Sequence, residues 1–237
     1  RVASRGLGDV YKRQVQGTTC IDNLHSIQVD EALREEMRLI ACDLYDQGIS
    51  EPVGKGRRIV AVGSSQYRYG STVHKAHRCP RMMEIGHHIA NEYGVQGNFT
   101  HALIAATPAT RKGGIGKHKD RECVPGSVLL AIGLEGTREV EFFMPEGPVK
   151  VEGDYLATGG LHVDEDHSVT THGYTLSVTF RQQKSGRKSG GRLGCLLHPQ
   201  ASADASMDPQ VLSEVRQEMN EAMDCLLYTS DAADDVR

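Results

Sequence analysis

Near the middle of the chain, GIGKHKDRE places His118 and Asp120 two residues apart behind a glycine-rich turn. Side chains two apart on an extended strand leave the same face, so an imidazole and a carboxylate there can converge on one ion. His167 follows 47 residues after Asp120, just ahead of an alternating run. Two imidazoles and one carboxylate leave the remaining coordination positions open, which suits non-haem Fe(II) and O2 chemistry. The pattern is short, and His162 with Asp164 repeats it in a chain holding 11 His. The residues alone leave two readings: a metal centre at His118, Asp120 and His167, or polar side chains of solvated loops.

A metal centre needs elements that hold its ligands still. Asp30 to Gln47 carries Leu33, Met37, Ile40 and Leu44 at spacings of three and four, with Gly48 behind it, which predicts an amphipathic helix. Pro80 to Tyr93 repeats the pattern with Met82, Ile85 and Ile89, and Gly94 follows. His87 and His88 lie on that helix in surface or partly buried positions. From Asn98 onward the runs FTHALIAA, SVLLAIGL, EVEFFM, VKVEG, DYLATGG and TLSVTFR are short and β-rich, separated by Gly, Pro and charged turns. The last alternates, with Leu176, Val178 and Phe180 opposite Ser177, Thr179 and Arg181. Two helices followed by about half a dozen strands predict an antiparallel sandwich or jelly roll.

The stretch from Phe99 to Gln182 resembles the catalytic core of AlkB-like Fe(II)/2-oxoglutarate-dependent dioxygenases. GIGKHKDRE, VLLAIGLEGTREVEFF, VEGDYLATGG, DHSV and SVTFR follow one another in that family's order and at similar spacings. Upstream, RRIVAVGSSQYRYG is similar to the family's nucleotide-recognition segment, and Cys79 to Gly94 to the helix preceding the core. The resemblance implies an α+β, mainly β fold: a double-stranded β-helix (jelly roll) core with N-terminal helices packed on it. It implies Fe(II) held by His118, Asp120 and His167, with 2-oxoglutarate as cosubstrate and O2 as oxidant. The reaction implied is nucleic-acid demethylation of the repair type, in which an N-alkyl group on a DNA or RNA base is hydroxylated and leaves as an aldehyde. Arg181 falls where the family has the second arginine of R-x-[SN]-x-T-x-R, near the cosubstrate carboxylate, and Ser177 takes the small polar position. An arginine fork suits a dicarboxylate. Glu122 stands where the family often has an acidic residue near the base; an exposed turn carboxylate is the other reading.

This chain departs from the pattern in the cosubstrate pocket. Thr175 occupies the position of the first arginine, and Thr107 and Ala109 the positions of the family's Asn-x-Tyr. A charge-assisted anchor contributes ~1.5–3 kcal/mol, so losing one weakens binding ~10- to 100-fold. Arg111, Lys112 and Lys117 are basic residues that stand nearby in sequence. The alternatives are a catalytically weak or inactive β-helix that still binds nucleic acid, and a 2-oxoglutarate oxygenase that hydroxylates a protein or small molecule.

Charge is segregated along the chain. Lys55 to Arg81 holds seven basic residues (Lys55, Arg57, Arg58, Arg68, Lys75, Arg78 and Arg81) and no acidic one, with Tyr67 and Tyr69 interleaved. In a nucleic-acid reading Arg68 and its basic neighbours hold phosphates and Tyr67 or Tyr69 stacks an extruded base. In a structural reading they are a solvated loop with structural tyrosines.

The composition frames these readings. The 237 residues are 38% hydrophobic and 24% charged with a net charge of −4, which excludes a wholly disordered chain and shows no global basicity. The longest apolar stretch, Val128 to Ile132, is too short to span a membrane. Six Cys without regular spacing suggest reduced thiols, and the chemistry implies an intracellular setting, cytoplasm or nucleus. Ser4 to Gln14 and Cys225 to Asp234 resemble translated sequencing adapters, so residues 1–14 and 225–237 read as artefact and the parent chain as longer. Setting aside the five basic and four acidic residues of those ends moves the net charge from −4 to −5. Between them the reading is a dioxygenase-like domain over 15–182, a basic Gly/Ser-rich linker over 183–207 and a truncated amphipathic helix over 208–224.

Overall fold

The computed structural model describes residues 22–53, 56–69, 72–109 and 114–184. The helix at 208–224, most of the linker and both ends of the chain lie outside these residues. Helix α1 (Glu31–Asp46) starts at Asp30, whose carboxylate accepts from the Ala32 and Leu33 amides. Helix α2 (Pro80–Glu92) opens on proline, where no amide partner is needed. Their apolar stripes, Met37, Ala41 and Leu44 on one and Met82, Ile85 and Ile89 on the other, join a single core. No helix among the described residues is long and apolar enough to cross a membrane.

The rest is mainly β. In chain order the strands are β1 (Leu24–Ser26), β2 (Glu51–Val53), β3 (Arg57–Gly63), β4 (Tyr67–Tyr69), β5 (Thr72–His74), β6 (Ala76–His77), β7 (His101–Thr107), β8 (Gly114–His118), β9 (Leu129–Met144), β10 (Gly147–Glu152), β11 (Tyr155–Ala157) and β12 (His167–Arg181), with a short helix α3 (Leu161–Asp164) before the last. The strands between the two helices were not expected from periodicity. β3 shows why: Val60 and Val62 face the helix-side core while Ile59 and Ala61 pack with Tyr67 and Leu103, so both faces are apolar and nothing alternates.

Runs read as separate strands fuse into two long ones. SVLLAIGL and EVEFFM are both β9, and DHSV and TLSVTFR are both β12, paired antiparallel along nearly their whole length. Both bend at one level, at Gly136 (φ +70°) and Gly173 (φ +75°). On one side of the bend, the Leu129 end of β9 and the Arg181 end of β12 continue the sheet into β11 and into β7 and β3. On the other, the Met144 end of β9 and the His167 end of β12 continue it into β10 and β8. The sheet folds over on itself, and residues of both halves (Leu129, Ala131, Val140, Phe142 and Tyr155) share an inner core. The β12 register on β9 shifts by one residue across the bend. As a result the inner face of β9 changes from odd-numbered positions (Leu129, Ala131) to even-numbered ones (Val140, Phe142).

The helices cover the outer face of the β7–β12 half. Leu176, Val178 and Phe180 point into their core, and Gly86 of α2 leaves room for the Phe180 ring, which an added Cβ would meet at 2.5 Å. Ion pairs fix α1 to the bend: Arg34 to Asp154 at 2.7 Å, and Arg38 to Glu135 at 3.2 Å. Asp154 also accepts from the Gly133 amide at 2.8 Å.

The bend gives a test. A Cβ at Gly136 would run into the Tyr174 carbonyl, whereas one at Gly173 meets nothing within 4 Å. Gly136→Ala carries left-handed strain plus a backbone clash and should cost about 2 kcal/mol or more, while Gly173→Ala should cost about 1 kcal/mol from strain alone. Urea unfolding checks this; equal midpoints for the two variants would show that close packing at Gly136 does not hold the bend.

Candidate metal centre

β8 ends at His118, so Asp120 stands in the loop just beyond the strand rather than on it. Backbone bonds replace the strand as its support: the Asp120 amide donates to the His162 carbonyl at 2.9 Å and the Cys123 amide to the Asp120 carbonyl at 3.0 Å. His167 opens β12 and pairs directly across from His118. The two rings lie 4.3 Å apart, and Phe142 packs on His167 from the inner core at 5.3 Å.

The ligand atoms of His118, Asp120 and His167 lie within 4.8 Å of one another. Asp120 Oδ1 is 3.6 Å from His118 Nε2 and 4.0 Å from His167 Nε2. Neighbouring ligands about 2.1 Å from an ion sit about 3 Å apart, so Oδ1 needs to close on each imidazole by no more than about 1 Å to hold one. His118 Nδ1 is 2.8 Å from the Gly116 carbonyl. Only a protonated Nδ1 bonds a carbonyl, so in the neutral tautomer this bond selects, the Nε2 lone pair faces the carboxylate. Burial lowers the His167 pKa to about 4, which leaves that imidazole neutral and ready to ligate at neutral pH.

Asp120 is 2% exposed. Burial alone would raise its pKa, but Arg181, His167, His162 and His118 together outweigh it and hold the carboxyl below its ordinary value. Arg181, itself buried, puts Nη1 3.3 Å from Asp120 Oδ2 and 3.7 Å from Glu122. Glu122 is half-buried, and burial pushes its pKa up. Arg181 and Glu122 therefore both stand beside the ligands. His162, which the bare pattern marks only as a chance repeat, is fully buried with neither ring nitrogen hydrogen-bonded, and with Asp120 and Cys123 it forms a second group within 4.8 Å. That group is the poorer one. Arg181 already occupies the Oδ2 side of the carboxylate, and burial pushes the Cys123 thiol up to about 12, so ligation there would have to expel a proton.

Beside the ligand group, a cavity lies between the two halves of the sheet. The polar face of β12 lines it: Thr175, Ser177, Thr179 and Arg181 point inward, not to solvent. Three arginines (Arg57, Arg138 and Arg181) line it and no carboxylate does. Thr107 lines it too, while Ala109 is exposed in the turn after β7. Lys117 lies at the surface, over the Phe143 ring at 4.4 Å and 3.8 Å from Asp166. Arg111 and Lys112 lie outside the described residues. Arg138 was missed by sequence reasoning. Its signal is that it shares the even-numbered face of β9 with Val140 and Phe142, opposite Glu139 and Glu141.

The basic stretch is not one surface. Tyr67 is fully buried, packed edge-on to His101 at 5.7 Å, so its ring has no free face for a base. Tyr69 is half-buried under Arg57, whose guanidinium lies 5.2 Å from the ring centre and bonds the Tyr69 hydroxyl. Arg58 is buried and donates to the Ser50 hydroxyl at 2.7 Å. Arg81 pairs with Glu36 at 2.6 Å. Arg68, Lys75 and Arg78 are exposed. Gln183 is buried and grips Arg68 from both sides, accepting from its amide at 3.0 Å and donating to its carbonyl at 2.7 Å.

No protein-family model matches the chain, and no curated protein matches it. Among solved structures it is similar to the structure of OsALKBH1, with a TM-score of 0.47 and 16% identity over 62% of this chain and 93% of that one. It is also similar to a Pseudomonas putida prolyl-4-hydroxylase, with a TM-score of 0.46 and 16% identity over 68% of this chain and 91% of that one.

His162 supplies a test of the buried cluster. Burial lowers its pKa to about 4 from an ordinary 6.5. Between those values the unfolded chain takes up a proton that the folded one refuses, so stability falls as the pH drops from 6.5 to 4. The metal-free protein should lose up to about 3 kcal/mol through this residue, and His162→Leu should flatten that part of the pH dependence. If the variant's unfolding midpoint tracks the wild type at every pH, His162 does not titrate with folding.

Proposed function

We propose that the chain is an Fe(II)- and 2-oxoglutarate-dependent oxygenase with a double-stranded β-helix core, and that it oxidatively dealkylates alkylated bases in DNA or RNA. One observation carries the oxygenase reading. A His-Asp-His ligand set opens beside a cavity lined by three arginines and no carboxylate, so a cation site adjoins a site for a dianion. The donor set fits Fe(II): two imidazoles and one carboxylate leave room for a chelating 2-oxo acid and O2.

Bound together, Fe(II), O2 and 2-oxoglutarate supply an oxidant that hydroxylates a C–H bond, and a hydroxylated N-alkyl group then leaves as an aldehyde. The chain's own residues do the rest. His118, Asp120 and His167 hold the ion. Arg181, 3.3 Å from Asp120, keeps that carboxyl ionised and orients it. Ser177, on the same face of β12, offers a hydroxyl to the cosubstrate. Exposed Arg68, Lys75 and Arg78 supply phosphate contacts, and they lie on the segment whose Arg57 lines the cavity. Tyr69 is the remaining aromatic candidate near a base, and Glu122 the polar one. The burial of Tyr67 and Arg58 removes part of that surface and favours a second reading, an oxygenase acting on a protein or small molecule.

Anaerobic Fe(II) titration followed by 2-oxoglutarate and O2 tests both. His118→Ala and His167→Ala should each abolish iron binding, and His162→Ala should retain it; the reverse pattern would overturn the ligand assignment. Succinate and aldehyde release on methylated oligonucleotides supports dealkylation. Succinate release on peptides or small molecules alone supports the second reading, and a protein that binds no Fe(II) sinks both.

A further inference from the structure

The three cavity arginines are not equivalent. Arg181 has Asp120 beside it, and Arg57 is tied to Tyr69. Arg181 Nε and Nη1 lack hydrogen-bond partners, but Asp120 and Glu122 lie 3.3 Å and 3.7 Å from that guanidinium; Arg138 has buried, unpartnered Nε and Nη2 and no ion pair among the described residues. Burial depresses its pKa, as it does that of Arg57, so neither guanidinium has its charge fully compensated. Asp154, the carboxylate whose charge reaches it, is taken up by Arg34 and the Gly133 amide. Directly across the strand pair from Arg138 stands Thr171, whose hydroxyl is also buried and unpartnered. Both residues line the cavity that the metal ligands His118 and His167 line. Two orphaned groups facing one another across adjacent strands make a built site for an anion, since a carboxylate would satisfy both.

We propose that Arg138 and Thr171 bind the remote carboxylate of the 2-oxo acid cosubstrate, in place of the cation that Thr175 cannot supply. This rests on the oxygenase reading. A 2-oxo diacid presents one carboxylate with its keto oxygen to the metal and the second to whatever lies deeper in the cavity. Thr175 lines the same cavity but carries no charge. Arg138 reaches the cavity from the opposite strand, β9, so the anchor has changed strands while the cavity has kept a cation for the second carboxylate.

The test uses the full chain loaded anaerobically with Fe(II), with binding of 2-oxoglutarate and of pyruvate, which lacks the remote carboxylate, measured by calorimetry. Arg138→Met should weaken 2-oxoglutarate binding ~10- to 100-fold and leave pyruvate binding and iron binding unchanged. Arg138→Lys should recover part of the loss, and Thr171→Val should weaken 2-oxoglutarate binding several-fold by the same selective pattern. The thermal midpoint of Arg138→Met should not fall, because an unpaired buried charge is being replaced by an apolar chain. Equal 2-oxoglutarate affinity in wild type and both Arg138 variants would overturn the anchor, as would equal losses for pyruvate. If Arg138→Met fails to fold, the Thr171→Val and Arg138→Lys affinities decide in the same way. Wild-type protein that binds Fe(II) but neither 2-oxo acid would instead overturn the oxygenase reading itself.

Discussion

A carboxylate almost wholly removed from water needs compensating charge, and the arrangement around Asp120 follows from that requirement. Arg181 reaches it from the far end of β12, His167 from the near end, His118 from β8 and His162 from α3. They arrive from β8, α3 and the two opposite ends of β12, so the cluster closes only when the sheet has folded over. An ion entering between the imidazoles and Oδ1 would complete the neutralisation that Arg181 begins at Oδ2. The metal group and the ion pair are thus two sides of one carboxylate, and neither can be altered without disturbing the other.

Bringing both ends of a fifteen-residue strand to one carboxylate requires that the strand not run straight. At about 3.3 Å per residue an extended β12 would hold His167 and Arg181 more than 40 Å apart. The paired bend at Gly136 and Gly173 removes that separation. It lets one strand give an imidazole to one half of the sheet and a guanidinium to the other. The helices stabilise this geometry from outside through Phe180 under Gly86 and through the Arg34 and Arg38 ion pairs near the bend. The polar residues of β12 are then free to line a cavity rather than face water.

Local features were legible in the sequence to the extent that local rules govern them. The two helices have a clean apolar stripe, a capping Asp30 and a leading Pro80, and their limits fall within a residue or so of the expected ones. The alternation of Thr175 to Arg181 correctly separated a core face from a polar face, but periodicity does not say whether polar means solvent or cavity. β3 hid because both its faces are covered. Tyr67 read as a recognition residue because its burial comes from His101 and Leu103 on a strand more than thirty residues away. Arg138 escaped notice because its inward orientation depends on a change of register at the bend, and nothing in the composition marks where that change falls. The convergence of His118, Asp120 and His167 was visible as a pattern, although the loop holding Asp120 is positioned by backbone bonds to His162 rather than by β8.

The one-residue shift in register between the halves of β9 has an electrostatic meaning. It determines which of two interleaved sets of side chains, Arg138 with Val140 or Glu139 with Glu141, looks into the chamber. Had the strand kept its parity through Gly136, the same residues would have lined that space with two acids and no arginine from this strand. The chamber would then set two carboxylates against Arg57 and Arg181 and lose its excess of positive charge. A single residue of slippage in the backbone, not any change of composition, decides whether this chamber holds an excess of positive charge.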